Sequence, residues 1–111
     1  MAKLFIEGIN VSDKTQIKEG QPNINDFLTE GSFFLKTSDT SNMPDNYKNN
    51  WIWLSVKQCG DKVIQTMSPD NANYGWQAFR TVSIGRQPYS YSNWNVIDFA
   101  KGKILQIGGG N

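Results

Sequence analysis

Asn50-Trp51-Ile52-Trp53-Leu54-Ser55-Val56-Lys57 runs through Gln58-Cys59-Gly60-Asp61 into Lys62-Val63-Ile64-Gln65-Thr66-Met67-Ser68. Side chains of a strand alternate between two faces. Ile52, Leu54 and Val56 therefore share one face, and Trp51 and Trp53 the other. In the second half Val63, Gln65 and Met67 fall together, opposite Ile64, Thr66 and Ser68. A Gly-Asp step between two such runs is a tight hairpin signal. Two faces that are both partly apolar predict a central hairpin covered on each side.

The segments around this hairpin are of the same kind. Ser32 to Thr37 reads as a strand with Phe33 and Leu35 on one face and Phe34 and Lys36 on the other. Trp76 to Ile84 alternates likewise: Trp76, Ala78, Arg80, Val82 and Ile84 oppose Gln77, Phe79 and Thr81. Pro88 to Trp94 is predicted to run extended, with Tyr89 and Tyr91 alike in direction and Trp94 opposed. Asn95 to Ala100 is expected to pack through Val96, Ile97 and Phe99, and Lys103 to Ile107 to form a last short strand. Lys3 to Ile9 is a further strand or an extended arm. Between residues 24 and 30 at most a short helical turn is expected, with Asn25 as its cap, Asp26 at its positive end and Phe27 and Leu28 packing inward. Gly31 stops it. Ser38 to Asn50 and Pro69 to Gly75 are polar loops. The organisation predicted is an N-terminal arm or connection over 1–22, a β-rich domain over 23–100, and a C-terminal strand with a flexible tail over 101–111.

Composition limits the chemistry. The chain has 111 residues, enough for one domain, with 38% apolar and 19% charged residues. Amides, hydroxyls and glycine fill the difference, and 4 Trp, 4 Tyr and 6 Phe supply the bulk. This mixture suits a β-rich domain with a polar surface, and also surfaces that meet sugars. Net charge is +1 without a basic cluster, so no nucleic-acid partner and no anionic membrane surface is expected. No apolar run approaches the length of a membrane span, so no membrane insertion is expected. Nor is a secretory signal expected in Met1 to Asn10.

Histidine is absent, which removes Ser-His-Asp, Cys-His and His-metal chemistry. The single cysteine, Cys59, makes no internal disulfide and is read as a turn residue. Carboxylates such as Asp39, Asp45, Asp61 and Asp70 are scattered through loops, and the chain is short for a polysaccharide-cleaving groove. No enzyme activity is expected. Asp70 to Gly75 fails the calcium-loop pattern at Ala72 and Tyr74, and the Asp39–Asp45 loop offers only a marginal cation site. No cofactor or metal is expected.

Two groups of residues remain as candidates for recognition. Tyr47, Tyr74, Tyr89 and Tyr91, with Arg86 and Asn93, lie outside the main strands, where rings and amides are available to a ligand. Phe34, Trp51 and Trp53 form a face that needs a cover from this chain or from another copy. Gln65 and Arg80 sit mid-strand. They are expected to bond backbone or each other, or to line a subunit axis.

The order of landmarks resembles the pyocin-knob-like domains of phage tail fibres. Asn25-Asp26-Phe27-Leu28-Thr29-Glu30-Gly31-Ser32-Phe33-Phe34 is similar to the family's "N-D-L-T-x-x-G-x-Y/F" opening. Asn50-Trp51-x-x-Leu54-x-Val56 resembles its "N/G-W-x-x-L-x-V" strand, and Lys62-Val63-Ile64-Gln65-Thr66 its "x-V-x-Q-x" strand. Phe79-Arg80-Thr81 stands for its arginine strand and Tyr91-Ser92-Asn93-Trp94 for its "W-S-x-W" closing segment. Tyr91 replaces the first closing tryptophan, and Ser83 to Ser90 lacks the Gly-Gly turn often seen there. The match spans roughly residues 25–95.

The resemblance implies a small, antiparallel, β-sandwich-like knob in a phage virion, at or near the end of a tail fibre or appendage. It further implies a homotrimer, non-enzymatic, that contacts other virion proteins. Its role would be to adhere to a host cell-surface glycan or to serve fibre folding without a ligand.

Overall fold

The computed structural model describes residues 14–20, 22–36, 42–44, 47 and 51–108. The expected Lys3–Ile9 segment, most of the Ser38–Asn50 loop and the last three residues lie outside these. The strands are β1 (Gln16–Lys18), β2 (Gly31–Lys36), β3 (Trp51–Cys59), β4 (Lys62–Pro69), β5 (Trp76–Ser83), β6 (Ser90–Tyr91), β7 (Trp94–Asp98) and β8 (Lys103–Ile107). They form one eight-stranded sheet in the order β1-β2-β3-β4-β5-β7-β8, with β6 also paired to β5. The mostly β character read from the sequence is present. The sheet is mixed, because β1 pairs with β2 in parallel and every other pairing is antiparallel.

The β3–β4 hairpin occupies the middle of the sheet. Cys59 pairs with Lys62, which leaves Gly60-Asp61 as a two-residue connection. Gly60 has φ 60 and Asp61 a negative φ, the sign pattern of a type II′ turn. From that turn the register fixes every face. Ile52, Leu54 and Val56 on β3 and Val63, Gln65 and Met67 on β4 are buried, as are Trp76, Ala78, Arg80 and Val82 on β5 and Trp94, Val96 and Asp98 on β7. Full burial of one such aliphatic side chain is worth about 1.5–3 kcal/mol.

The inner face is covered by segments that are not strands. Ile24, Met43 and Tyr47 are buried against it, and Phe27, Leu28, Ile84, Tyr89 and Tyr91 pack at its margins. The Ile24–Asp26 segment is a single 3-10 turn. Its cap is Asn23 rather than the expected Asn25: the Asn23 side chain accepts from the Asn25 N–H at 2.9 Å. Asn25 is used elsewhere, as an acceptor for Arg80. At the other end of the domain Gly75 adopts a left-handed φ of 72 after the Ala72–Tyr74 turn. Its carbonyl accepts from the Phe99 N–H at 2.6 Å and the Ala100 N–H at 3.2 Å, which ties the β4–β5 connection to the β7–β8 turn. Phe99 itself, expected to pack, is 63% exposed because it lies beyond the end of β7 in that turn.

A buried polar latch joins the 3-10 turn to the sheet. Gln65 and Arg80 are directly opposite each other on β4 and β5. Arg80 Nε donates to Gln65 Oε1 at 2.7 Å, and Nη2 donates to Asn25 Oδ1 at 2.6 Å. Gln65 Nε2 donates to the carbonyls of Ile24 at 2.9 Å and Phe27 at 2.8 Å. The guanidinium carbon lies 4.9 Å from the Tyr91 ring centroid and 4.6 Å from that of Trp94. Burial lowers the Arg80 pKa to about 10, with Tyr91 acting in the opposite direction. Of the roles expected for this pair, bonding to backbone and to each other is the one present within the chain.

Candidate functional site

The β3–β4 turn and the loop from β5 to β6 meet at one end of the sheet and enclose an open hollow of about 370 Å³. It is lined by Asp61, Lys62, Ser83, Gly85, Arg86, Pro88 and Ser90. Strand register brings them together: Lys62 pairs with Ser83, and Ser83 with Ser90. The loop is pinned to the turn by the Ile84 N–H, which donates to the Asp61 carbonyl at 2.9 Å. Gly85 lies close to Asp61: a Cβ there would meet the Asp61 carboxylate, which would have to move aside. The Gln87–Pro88 peptide is cis.

The polar groups of this hollow differ in how they are held. Lys62 Nζ donates to Ser83 Oγ at 3.2 Å, which directs one cation along its wall. The Asp61 carboxylate and the Arg86 guanidinium both line the hollow, yet neither has a hydrogen-bond or ion-pair partner among the described residues. One acceptor-only group and one planar five-donor group are thus exposed a short distance apart. Such an arrangement offers both donors and acceptors to solvent. It contains no acid–base pair aimed at a common point and no thiol.

A second hollow, also of about 370 Å³, lies beside the first and shares Lys62 with it. Glu30, Lys57, Gln58, Cys59, Val63, Ile64 and Thr81 complete its lining. Cys59 is exposed and free. Glu30 Oε1 accepts from the Gln58 N–H at a long 3.4 Å.

The tyrosines expected to form a ligand surface do not converge. Tyr47 is buried: its ring packs edge-on against Trp76 with centroids 5.3 Å apart, and its hydroxyl donates to Asp98 Oδ2 at 2.8 Å. The Tyr47 hydroxyl holds the Asp98 carboxyl below its usual range, against the effect of burial, with help from the Lys101 N–H. Burial, and then Asp98, raise the Tyr47 pKa in turn. Tyr91 lies over Arg80, and its hydroxyl reaches the Asn25 carbonyl at 3.4 Å. Tyr89 is half-buried against the core margin. Tyr74 is 48% exposed but sits before β5, whereas Arg86 follows it, so the whole length of that strand separates them. Asn93 is exposed in the short link from β6 to β7. Of these six residues only Arg86 lines the hollow. Asp61, Lys62, Ser83 and Ser90 were not singled out by the sequence. The available signal was the Gly60-Asp61 turn, whose register carries Lys62 opposite Ser83.

Phe34, Trp51 and Trp53 do form one group, on the outer face of β2 and β3. Phe34 stacks on Trp51 with centroids 4.9 Å apart and planes 15° apart, and lies 4.4 Å from Trp53. Trp53 remains 49% exposed. Ile17, Phe34 and Trp53 lie in one cross-strand row. The neighbouring row, Ser32, Ser55 and Thr66, is polar and bounds the patch.

Among the described residues no group of three or more His, Cys, Asp or Glu side chains is placed to hold a metal ion. Asp39 and Asp45 lie outside those residues. Among the described residues no helix is long and apolar enough to cross a membrane. In comparisons with known protein families, curated proteins and solved structures, nothing matches this chain.

Proposed function

We propose that this chain is a non-enzymatic recognition domain of a phage tail fibre or appendage, and that it adheres to a host cell-surface glycan through the Asp61–Arg86 hollow. The observation that carries the reading is the pair Asp61 and Arg86, without side-chain partners among the described residues, held in one concavity with Lys62, Ser83 and Ser90. Carboxylate, guanidinium and hydroxyl groups together match the dense donors and acceptors of a sugar. The ordered landmarks from Asn25 to Trp94 supply the phage context.

The test is retention of the purified protein on bacterial cell walls and on a glycan array, with Arg86→Ala alongside. Retention that weakens in the variant is the expected result. If wild-type protein is retained no better than an unrelated β-rich domain, the reading fails.

A second reading is favoured by the half-exposed Trp53 and its stacked neighbours. In this reading the chain is a fibre-assembly module without a ligand, and the outer face of β2 and β3 packs in a homotrimer. Sedimentation distinguishes the two: a trimer that ignores every glycan supports assembly alone.

A further inference from the structure

We propose that the Asp61–Arg86 hollow is selective for an anionic, hydroxyl-bearing ligand: a sugar or polyol that carries a phosphate or a carboxylate. This rests on the recognition reading of the same hollow and names the class of molecule it takes.

Charge and geometry carry the inference. The hollow holds two cations, Lys62 and Arg86, against one carboxylate, Asp61. A neutral sugar offers these cations only uncharged hydroxyl acceptors, whereas an anionic group beside them gains stronger, charge-assisted hydrogen bonds. Arg86 is suited to this because its planar fork matches a phosphate or a carboxylate with two parallel donors. Lys62 is already directed by its bond to Ser83 Oγ at 3.2 Å and adds a second positive charge with donors to spare.

Asp61 has the complementary task. A carboxylate accepts only, and its two oxygens suit adjacent hydroxyls of one ligand. It does not neutralise Arg86, because no ion pair forms between them. The Asp61 backbone is fixed by the two-residue turn and by the Ile84 N–H, and its side chain occupies space that a Cβ on residue 85 would need. Ser83 and Ser90 provide further hydroxyls on the same wall. The hollow therefore offers an anion two cationic donors, Arg86 and Lys62, and offers hydroxyls an acceptor, Asp61.

The experiment follows backbone amide shifts of the full chain by NMR while glycerol 1-phosphate, glucuronate, glucose and glycerol are titrated separately. Amides of Asp61, Gly85 and Arg86 are expected to move. Each charged probe is expected to bind at least about tenfold more tightly than its neutral counterpart, with the preference falling as salt is raised. Arg86→Ala should abolish the preference, lowering affinity for the charged probes far more than for the neutral ones. Asp61→Asn should weaken the neutral probes and, by removing the one negative charge, widen the preference for the charged ones. Gly85→Ala displaces the carboxylate without changing charge and should weaken the charged and neutral probes alike.

Stronger binding of glycerol phosphate than of glucuronate assigns a phosphate-bearing ligand, and the reverse assigns a uronate; either supports the anionic class. Equal affinity for charged and neutral probes overturns the proposal, as does a preference that survives Arg86→Ala. If cell walls are retained but no anionic preference exists, the ligand class is wrong and the recognition reading stands. If neither walls nor any probe binds, both fall. Arg86 is exposed and outside the strands, so its variant keeps the test valid even where Gly85→Ala fails to fold.

Discussion

Gln65→Leu removes the centre of the buried latch and keeps its volume roughly constant. Three bonds are lost: two donated by Nε2 to the Ile24 and Phe27 carbonyls, and one accepted from Arg80 Nε. They do not count equally. The Ile24 carbonyl keeps a second donor, the Phe27 N–H at 3.2 Å. The Phe27 carbonyl and the charged Arg80 Nε lose the bonds that Gln65 gives them. A buried polar group left unsatisfied costs about 1–3 kcal/mol, and more when charged. The sum is about 4 kcal/mol, a large share of the roughly 5–15 kcal/mol that stabilises a domain of this size. The melting temperature should fall by roughly 15 °C.

Urea unfolding followed by tryptophan fluorescence reads this directly, because Trp94 is fully buried beside Arg80. The double variant Gln65→Leu with Arg80→Met is the sharper measurement. Replacing both partners also removes the cation whose burial lowers its pKa to about 10. The double variant should therefore be less destabilised than the sum of the singles, by at least about 1.5 kcal/mol. A loss below about 1 kcal/mol for Gln65→Leu, or strict additivity in the cycle, would refute the latch.

Tyr47→Phe should narrow the pH range of stability. Asp98 is held below its ordinary value of 3.8, so its contribution is complete above that pH and lost as pH falls through the lower folded value. Tyr47 is raised above 10.0, so its contribution is complete below that pH and lost as pH rises through the higher folded value. The gap between wild type and Tyr47→Phe should therefore be widest near neutrality and close in strong acid; a gap constant from neutral pH into strong acid argues against the Tyr47–Asp98 bond.

Gly75→Ala should cost about 1–3 kcal/mol, since it adds a strained left-handed residue and a Cβ that would lie 3.1 Å from the Ala100 Cβ. Gly60→Ala, with φ 60 but open space around it, should cost only the backbone share, about 1 kcal/mol; equal losses at both sites would discount the Ala100 contact. Trp53→Ser should cost a monomer about 1 kcal/mol through lost ring stacking, yet convert a trimer to monomers in sedimentation if the outer face assembles. An unchanged sedimentation coefficient would exclude that face as the interface.

Alternation with period two was enough to place the inward residues of β3, β4 and β5, because a sheet with one buried face leaves each strand a single workable register. The Gly60-Asp61 step located the central turn for a similarly local reason: glycine takes the positive φ at the first turn position without strain. The mostly β character and the inward placement of Gln65 and Arg80 were legible on the same grounds. The cap at Asn23 was not, because Asn23 and Asn25 are both good caps and Arg80, distant in sequence, claims Asn25. The tyrosines were misleading for a related reason. A ring in a polar loop reads as available, but Tyr47 and Tyr91 are drawn inward by Asp98 and Arg80, partners separated from them by 51 and by 11 positions.

The candidate site belongs wholly to tertiary structure. Asp61 and Arg86 lie in two separate turns and become neighbours only when β4 and β5 pair in register and Ile84 bonds back to the hairpin. Local sequence determined which residues turn and which face inward, since those follow from backbone geometry a few residues wide. Which turns meet, and which charges are left without partners when they do, was decided by the register of the whole sheet.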